Sequence, residues 1–363
     1  LQRVSRVIEM AELSSDFWRQ SAAEPGGFCW WYLDLTDEAG NGLVLIWALG
    51  LPFLAGSRRG LPARSRPALN LALYRGGRCD LYLLQEFGED QADFTDASGS
   101  AVLGRSRIDV SEKGEDVRVR VLLDEALPGT KERLVAQIDL RGPRLKLSGP
   151  SAAALHLWTP RVVGGPASAR VTVGSSEWQF DGTGYFDGNA SPVGLHAQGI
   201  ASWRWGRVNL GERSVVFYDL VETDGSKTCF VLEARADGSC RAVEGAELRF
   251  GPEKSGLYGL SAPRSLDIMS SESHVRCQMQ RLVDDGPFYQ RFLMRAEEGG
   301  VVGHGVYEVV SPHRLDVPWQ RPFVRMRTHS LSGERNSSWL PLFSGPRRGR
   351  TGRLLRSWLG SHP

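Results

Sequence analysis

From residue 28 to residue 310 the chain contains no convincing long amphipathic helix, and that absence limits its fold more than any motif does. Short apolar runs punctuated by turn residues fill the interval instead. Phe28 to Leu35 (FCWWYLDL) and Leu43 to Leu49 flank Asp37 to Gly42 and read as a β-hairpin. The return run is apolar at every position, which implies burial on both faces. Ala68 to Tyr74 and Leu81 to Gln85 flank a Gly76-Gly77 turn. VRVRVLL, LVAQIDL and PRLKLSG then alternate with a period of two, and runs near 152–158 and 169–173 continue the series. After residue 214 the same grammar resumes as far as Ser311. Strand starts recur about every 8–12 residues, the spacing of a sandwich or barrel. The reading is all-β with few short helices, in two β domains of similar size meeting near residues 185–200.

The boundaries follow from the breaks in this pattern. Residues 1–27 form a lead-in, with one short helix expected over Ala11 to Arg19 before Pro25-Gly26-Gly27. Residues 28–190 are the first β domain and 191–345 the second, ending in a proline-rich irregular wrap. Residues 346–363 form a basic tail with five arginines and no acidic residue. That tail reads as a solvated segment or as a peripheral contact with an anionic membrane face. A net charge of +2 over 363 residues is too mild to predict nucleic-acid binding. The most apolar run, Leu43 to Leu54, contains Gly50 and Pro52 and is too short to span a bilayer as a helix. Five scattered cysteines with no CxxC pair suit reduced, mostly buried thiols and a cytoplasmic setting. No histidine pair has metal-ligand spacing, no nucleophile elbow stands between strand and helix, and no glycine loop for phosphate opens a helix. We therefore expect no metal and no cofactor.

Reactive residue types gather in Trp178 to Asp219, WQFDGTGYFDGNASPVGLHAQGIASWRWGRVNLGERSVVFYD. Its glycines and Asn189 suggest a corner, in which Asp187 is either a turn aspartate or a proton-transfer group. Trp203 and Trp205 share one strand face and Arg204 takes the other. If the tryptophans line a pocket, Arg204 points away and pairs with an acid. Tyr218 and Asp219 likewise face opposite sides, so only one of them points inward. Trp30, Tyr32 and Asp34 share a face, and Asp34 is expected to make a structural hydrogen bond within the first domain. His156, in an apolar run, reads as a core histidine or as part of a pocket wall. His304 lies between two glycines and reads as a turn residue.

Taken in order, Gly27 to Asp34, Ala68 to Tyr74, His156 to Pro160, Gly184-Tyr185-Phe186-Asp187-Gly188-Asn189-Ala190, Trp203 to Arg207 and Phe217-Tyr218-Asp219 resemble the carotenoid 1,2-hydratase (hydroxyneurosporene synthase) family. The similarity runs from about residue 25 to about 328. It implies two lipocalin-like β-barrel or β-sandwich domains in tandem. It also implies cofactor-free hydration of the terminal alkene of an acyclic carotenoid. In parts of the wider superfamily a histidine stands on each side of the aspartate. Phe186 and Gly188 stand there in this chain, which suits the hydratase branch and leaves no imidazole adjacent to Asp187.

Hydrating a trisubstituted alkene needs a proton donor, walls that tolerate a tertiary cation, and a placed water. A carboxylic acid kept protonated by burial supplies the first, and aromatic faces the second. The proton-transfer candidates are Asp187, Asp219, Tyr218 and Arg204. The substrate-wall candidates are Trp203, Trp205, Tyr185, Asn189, Trp30, Tyr32 and His156. Two other readings keep the apolar ligand and change the chemistry: a cyclase of the same fold, and a binding protein that only holds a lipid or polyene. The sequence sets no oligomeric state.

Overall fold

The computed structural model describes residues 8–330 apart from 95, 128–130, 146, 148–154 and 236–238, so the basic tail at 346–363 lies outside the described residues. Among the described residues the chain is mostly β, built around two strongly curled half-barrel sheets, with two short α-helices. The first sheet runs in space from Arg78–Glu86 through Pro67–Arg75, Gly42–Leu49 and Phe28–Thr36. It then crosses to Ser176–Ser191 and returns through His156–Val173, Arg133–Pro143 and Asp116–Ala126 to shorter strands. The second begins at Ile200–Leu210, which lies between Arg213–Glu222 and Val301–Val310. Tyr289–Glu298 and His274–Asp285 follow outward from the latter. Sheet membership departs from chain order at both ends: Ile8–Met10 pairs in parallel with the start of His156–Val173, and Thr328–Ser330 returns to pair with Arg78–Glu86.

Burial explains which strands read as alternating and which as continuous. Phe28–Thr36 and Gly42–Leu49 are buried at every position because both faces of the first sheet are covered there. One face looks into that sheet's own curl, with Trp31, Trp47, Leu33 and Leu45. The other, with Trp30, Tyr32, Val44 and Ile46, packs against the second sheet. Asp116–Ala126 and Arg133–Pro143 alternate because they form a wall with one face in water. The second sheet has its own inner core, including Val208, Phe217, Phe292 and Tyr307.

Three local expectations are corrected. The helix spans Ser15–Ala23 rather than Ala11 to Arg19. Ala11 is committed to the first sheet through its N–H to the Trp158 carbonyl, and Ser14 caps the helix by accepting from the Phe17 N–H at 3.2 Å. The Gly-rich segment around Asp187 is no corner but the buried half of the 16-residue strand Ser176–Ser191. Asn189 lies in the same strand, and His304 lies within Val301–Val310.

One ion pair crosses between the sheets in the buried layer. Arg207, from Ile200–Leu210, donates through Nε to Asp34 Oδ1 at 2.7 Å and through Nη2 to the same oxygen. Its Nη2 also donates to the Thr183 carbonyl at 3.0 Å, and both side chains are fully buried. Asp34 therefore bonds across to the second sheet rather than within the first. Replacing one member leaves the other charge buried and unpaired, which costs about 3–5 kcal/mol. We expect Arg207→Met to lower the urea midpoint by an amount equivalent to that cost. The Asp34→Leu/Arg207→Met double variant should recover most of it.

Candidate functional site

Strand register places the candidate residues. In the first sheet Asp187 is opposite Tyr32, Asn189 opposite Trp30 and Tyr185 opposite Asp34. In the second, Trp205 is opposite both Tyr218 and Glu308, and Trp203 is opposite Val310. These side chains meet in the layer between the sheets, where Trp30, Tyr32, Trp203, Trp205 and Tyr218 surround a cavity that Asp187, Asn189 and Glu308 also line. Ile46 and Phe53 also line a second cavity, whose walls include Tyr82, Phe288, Tyr289 and Arg291. The aromatic wall is closely stacked: Trp30 and Trp203 have centroids 6.4 Å apart, and Tyr32 meets Trp205 edge-on at 5.2 Å.

Asp187 is 3% exposed, and burial lifts its carboxyl from the usual range to about 7. Three donors oppose that rise by favouring the anion. Tyr185 Oη donates to Oδ2 at 2.7 Å, Trp158 Nε1 to the same oxygen at 2.8 Å, and Asn189 Nδ2 to Oδ1 at 3.0 Å. With two donors on Oδ2 and one on Oδ1, Oδ1 has room for a proton. Burial also lifts Glu125 to about 7, but that carboxyl bonds Gln85 and Ser106 and takes no part in lining the aromatic cavity.

His156 stands one residue further back. Its Nε2 lies 3.0 Å from Asn189 Oδ1 and its Nδ1 3.2 Å from Gln198 Oε1. Burial draws its pKa down to about 4, so the ring is neutral at ordinary pH. The Asn189 amide nitrogen is committed to Asp187 and that of Gln198 to Ser191 and Val193, so both amide oxygens face the ring, and the neutral imidazole donates to one of them. The imidazole missing beside Asp187 in the chain is thus supplied through space by way of Asn189. In neutral form it orients the amide and carries no charge.

Of the sequence candidates, the structure brings together Asp187, Tyr218, Asn189, Trp30, Tyr32, Trp203 and Trp205, with Tyr185 and His156 directly behind them. It does not bring Arg204 or Asp219 there. They occupy the opposite face of their strands, where Arg204 Nη1 donates to Asp219 at 3.2 Å and Nη2 to Glu253 at 2.8 Å. Arg204 also lies over the Phe250 ring. The period-two reading placed Tyr218 and Asp219 on opposite faces, and Tyr218 is the one that points to the cavity.

Sequence reading missed Trp158, Glu308 and Arg291. Trp158 was visible only as a neighbour of His156, two positions along the same strand face. Glu308 had a usable signal: in Val306-Tyr307-Glu308-Val309-Val310 it shares the face of two buried valines. It accepts from Arg291 Nε at 2.7 Å and from Tyr32 Oη at 3.1 Å.

The family model and the curated relatives point to one family. The model of the family described as carotenoid hydratase CrtC matches residues 44–336. The acyclic carotenoid 1,2-hydratase of Thiocapsa roseopersicina is 26% identical over 328 residues, covering 85% of this chain and 74% of the relative. The enzyme of the same description from Rubrivivax gelatinosus is 24% identical over 316 residues, covering 82% and 74%. Among solved structures, an AttH-like protein of Nitrosomonas europaea superposes with a TM-score of 0.57 at 14% identity, over 78% of this chain and 92% of that one. CghA with Sch210972 gives 0.55 at 13% identity, over 80% and 89%. These two share the fold.

The donors to Asp187 make its acidity testable. Tyr185→Phe deletes the 2.7 Å bond to the anion while keeping the ring, so the carboxyl should titrate higher. A hydrogen bond to a charged group contributes about 1.5–3 kcal/mol, or roughly one to two pH units. Carboxyl-labelled NMR of Asp187 in the two proteins measures the shift. An unchanged or lower titration point contradicts this account.

Proposed function

The chain belongs to the carotenoid hydratase CrtC family, and we propose that it adds water to the terminal alkene of an acyclic carotenoid, giving a tertiary alcohol. The observation that carries this reading is a carboxyl with a pKa of about 7, buried in the wall of an aromatic cavity and ringed by donors that favour its conjugate base. Asp187 Oδ1 gives its proton to the less substituted alkene carbon. The π pair forms the new C–H bond, and the positive charge appears on the tertiary carbon. Tyr185, Trp158 and Asn189 stabilise the carboxylate left behind. The faces of Trp30, Trp203, Trp205 and Tyr32 attract the cation without offering it a nucleophilic lone pair other than the phenol oxygen, which is engaged with Glu308. Water then bonds to the tertiary carbon, and loss of one proton leaves the alcohol. The second cavity shares Ile46 and Phe53 with the first, and its aromatic walls would take the rest of the polyene.

The test is direct. Purified protein incubated with lycopene or neurosporene should yield product heavier by one water. Asp187→Asn, which keeps size and loses the acidic proton, should lower that yield by a factor of at least about 100. Because the reaction consumes the protonated form, the rate should fall as pH rises through about 7. A product of unchanged mass in the wild-type incubation would sink the hydration reading.

A further inference from the structure

Hydration leaves a second proton to be placed after Asp187 has given the first. Once ionised, its carboxylate accepts from Tyr185, Trp158 and Asn189, and it stands on the first sheet's wall. The second sheet's wall carries another carboxylate. Glu308 lies on Val301–Val310, opposite Trp205 on one neighbouring strand and Arg291 on the other. It lines the same cavity as Asp187.

Its bonds leave one oxygen available. Arg291 Nε at 2.7 Å and Tyr32 Oη at 3.1 Å both end on Oε1. Oε2 has no hydrogen-bond partner among the described residues. Arg291 is 1% exposed and is itself fixed by donating to Tyr74 Oη at 2.8 Å. The carboxylate is therefore held in place by a buried guanidinium, with a free lone pair on a cavity-lining residue. An alkene between the two walls is flanked by an acid on one sheet and a paired carboxylate on the other.

Building on the hydration reading, we propose that Glu308 holds the attacking water through Oε2 and takes its proton. The step balances. A water lone pair forms the C–O bond to the tertiary cation, one O–H bond of the resulting oxonium breaks, and that proton bonds to Glu308 Oε2. The neutral alcohol leaves. Glu308 then loses its proton to solvent and Asp187 regains one from solvent, so that the net change is alkene plus water to alcohol. The negative charge of Glu308 also bears on Asp187, helping burial to keep that acid protonated before the reaction. One ion pair thus serves both halves of the addition.

The experiment separates the halves by running the reaction in D2O. In Glu308→Gln, protonation by Asp187 persists but the cation is not captured. It returns to alkene by losing a proton to the Asp187 carboxylate. Alcohol should fall by a factor of at least about 100, the usual scale of a general base, while deuterium still enters the recovered carotenoid at its terminal carbons. In Asp187→Asn both alcohol and deuterium entry should vanish. Alcohol within threefold of wild type in Glu308→Gln overturns the proposal, and so does loss of deuterium entry together with alcohol in a variant that still melts cooperatively. Should Glu308→Gln fail to fold, Glu308→Asp keeps the charge and withdraws the oxygen. It should form alcohol about tenfold more slowly with deuterium entry intact, and an unchanged rate overturns the proposal. Alcohol formation by Asp187→Asn instead refutes the acid assigned above and leaves the reading of Glu308 to its own variants.

Discussion

The layer between the two sheets depends on the buried contact of Asp34 with Arg207. Each residue sits two positions from a cavity wall on its own strand: Asp34 follows Tyr32, and Arg207 follows Trp205. Asp34 is also the ladder partner of Tyr185, and Arg207 is paired with Val306, two positions before Glu308. The pair fastens the two walls to each other immediately beside the site. A shift of one sheet over the other by a residue would draw the two charges apart. A charge pair with both members at zero exposure does not tolerate such a shift, because either ion left alone pays its full desolvation. The facing positions of Asp187 and Glu308 follow from that register.

Much of this fold was legible because barrel walls are amphipathic. The alternation in VRVRVLL and LVAQIDL reports one wet face and one dry face directly. The central stretch misled because glycine has two uses. Gly184 and Gly188 stand where turn chemistry would put them, yet they lie in a strand. A Cβ on Gly188 would come within 2.2 Å of the Trp31 ring, so this glycine is required by close packing. Only the tertiary neighbour distinguishes the two cases, and Trp31 lies more than 150 positions away in the chain.

The site was legible in its faces and opaque in its pairings. Period two placed Trp203 with Trp205 and Trp30 with Tyr32, and set Arg204 and Asp219 apart from their neighbours. It did not say which face was inward, and for Asp219 that decides everything. The contacts that organise the chemistry join residues too distant in sequence for any local pattern. Asp34 and Arg207 are 173 positions apart, and Tyr32 and Glu308 are 276 apart. His156 illustrates the same point: adjacent positions in the chain exclude an imidazole partner for Asp187, whereas register places one across Asn189.

Asp187 and Asp219 show why the residue type alone assigns no role. Burial raises both, Asp187 to about 7. Asp219 has a guanidinium against it, which favours the charged form and opposes burial with a full positive charge. Asp187 has only neutral donors, a phenol, an indole and an amide, and these oppose burial less strongly than a cation does. The difference leaves a carboxyl that is protonated near neutral pH yet yields an anion with partners already in place. Across the cavity the assignment is reversed: Glu308 has the guanidinium and faces the same space. Two carboxyl groups thus face one cavity with partners of different kinds, neutral donors around Asp187 and a guanidinium against Glu308, which is the asymmetry that adding a proton on one side and removing one on the other requires.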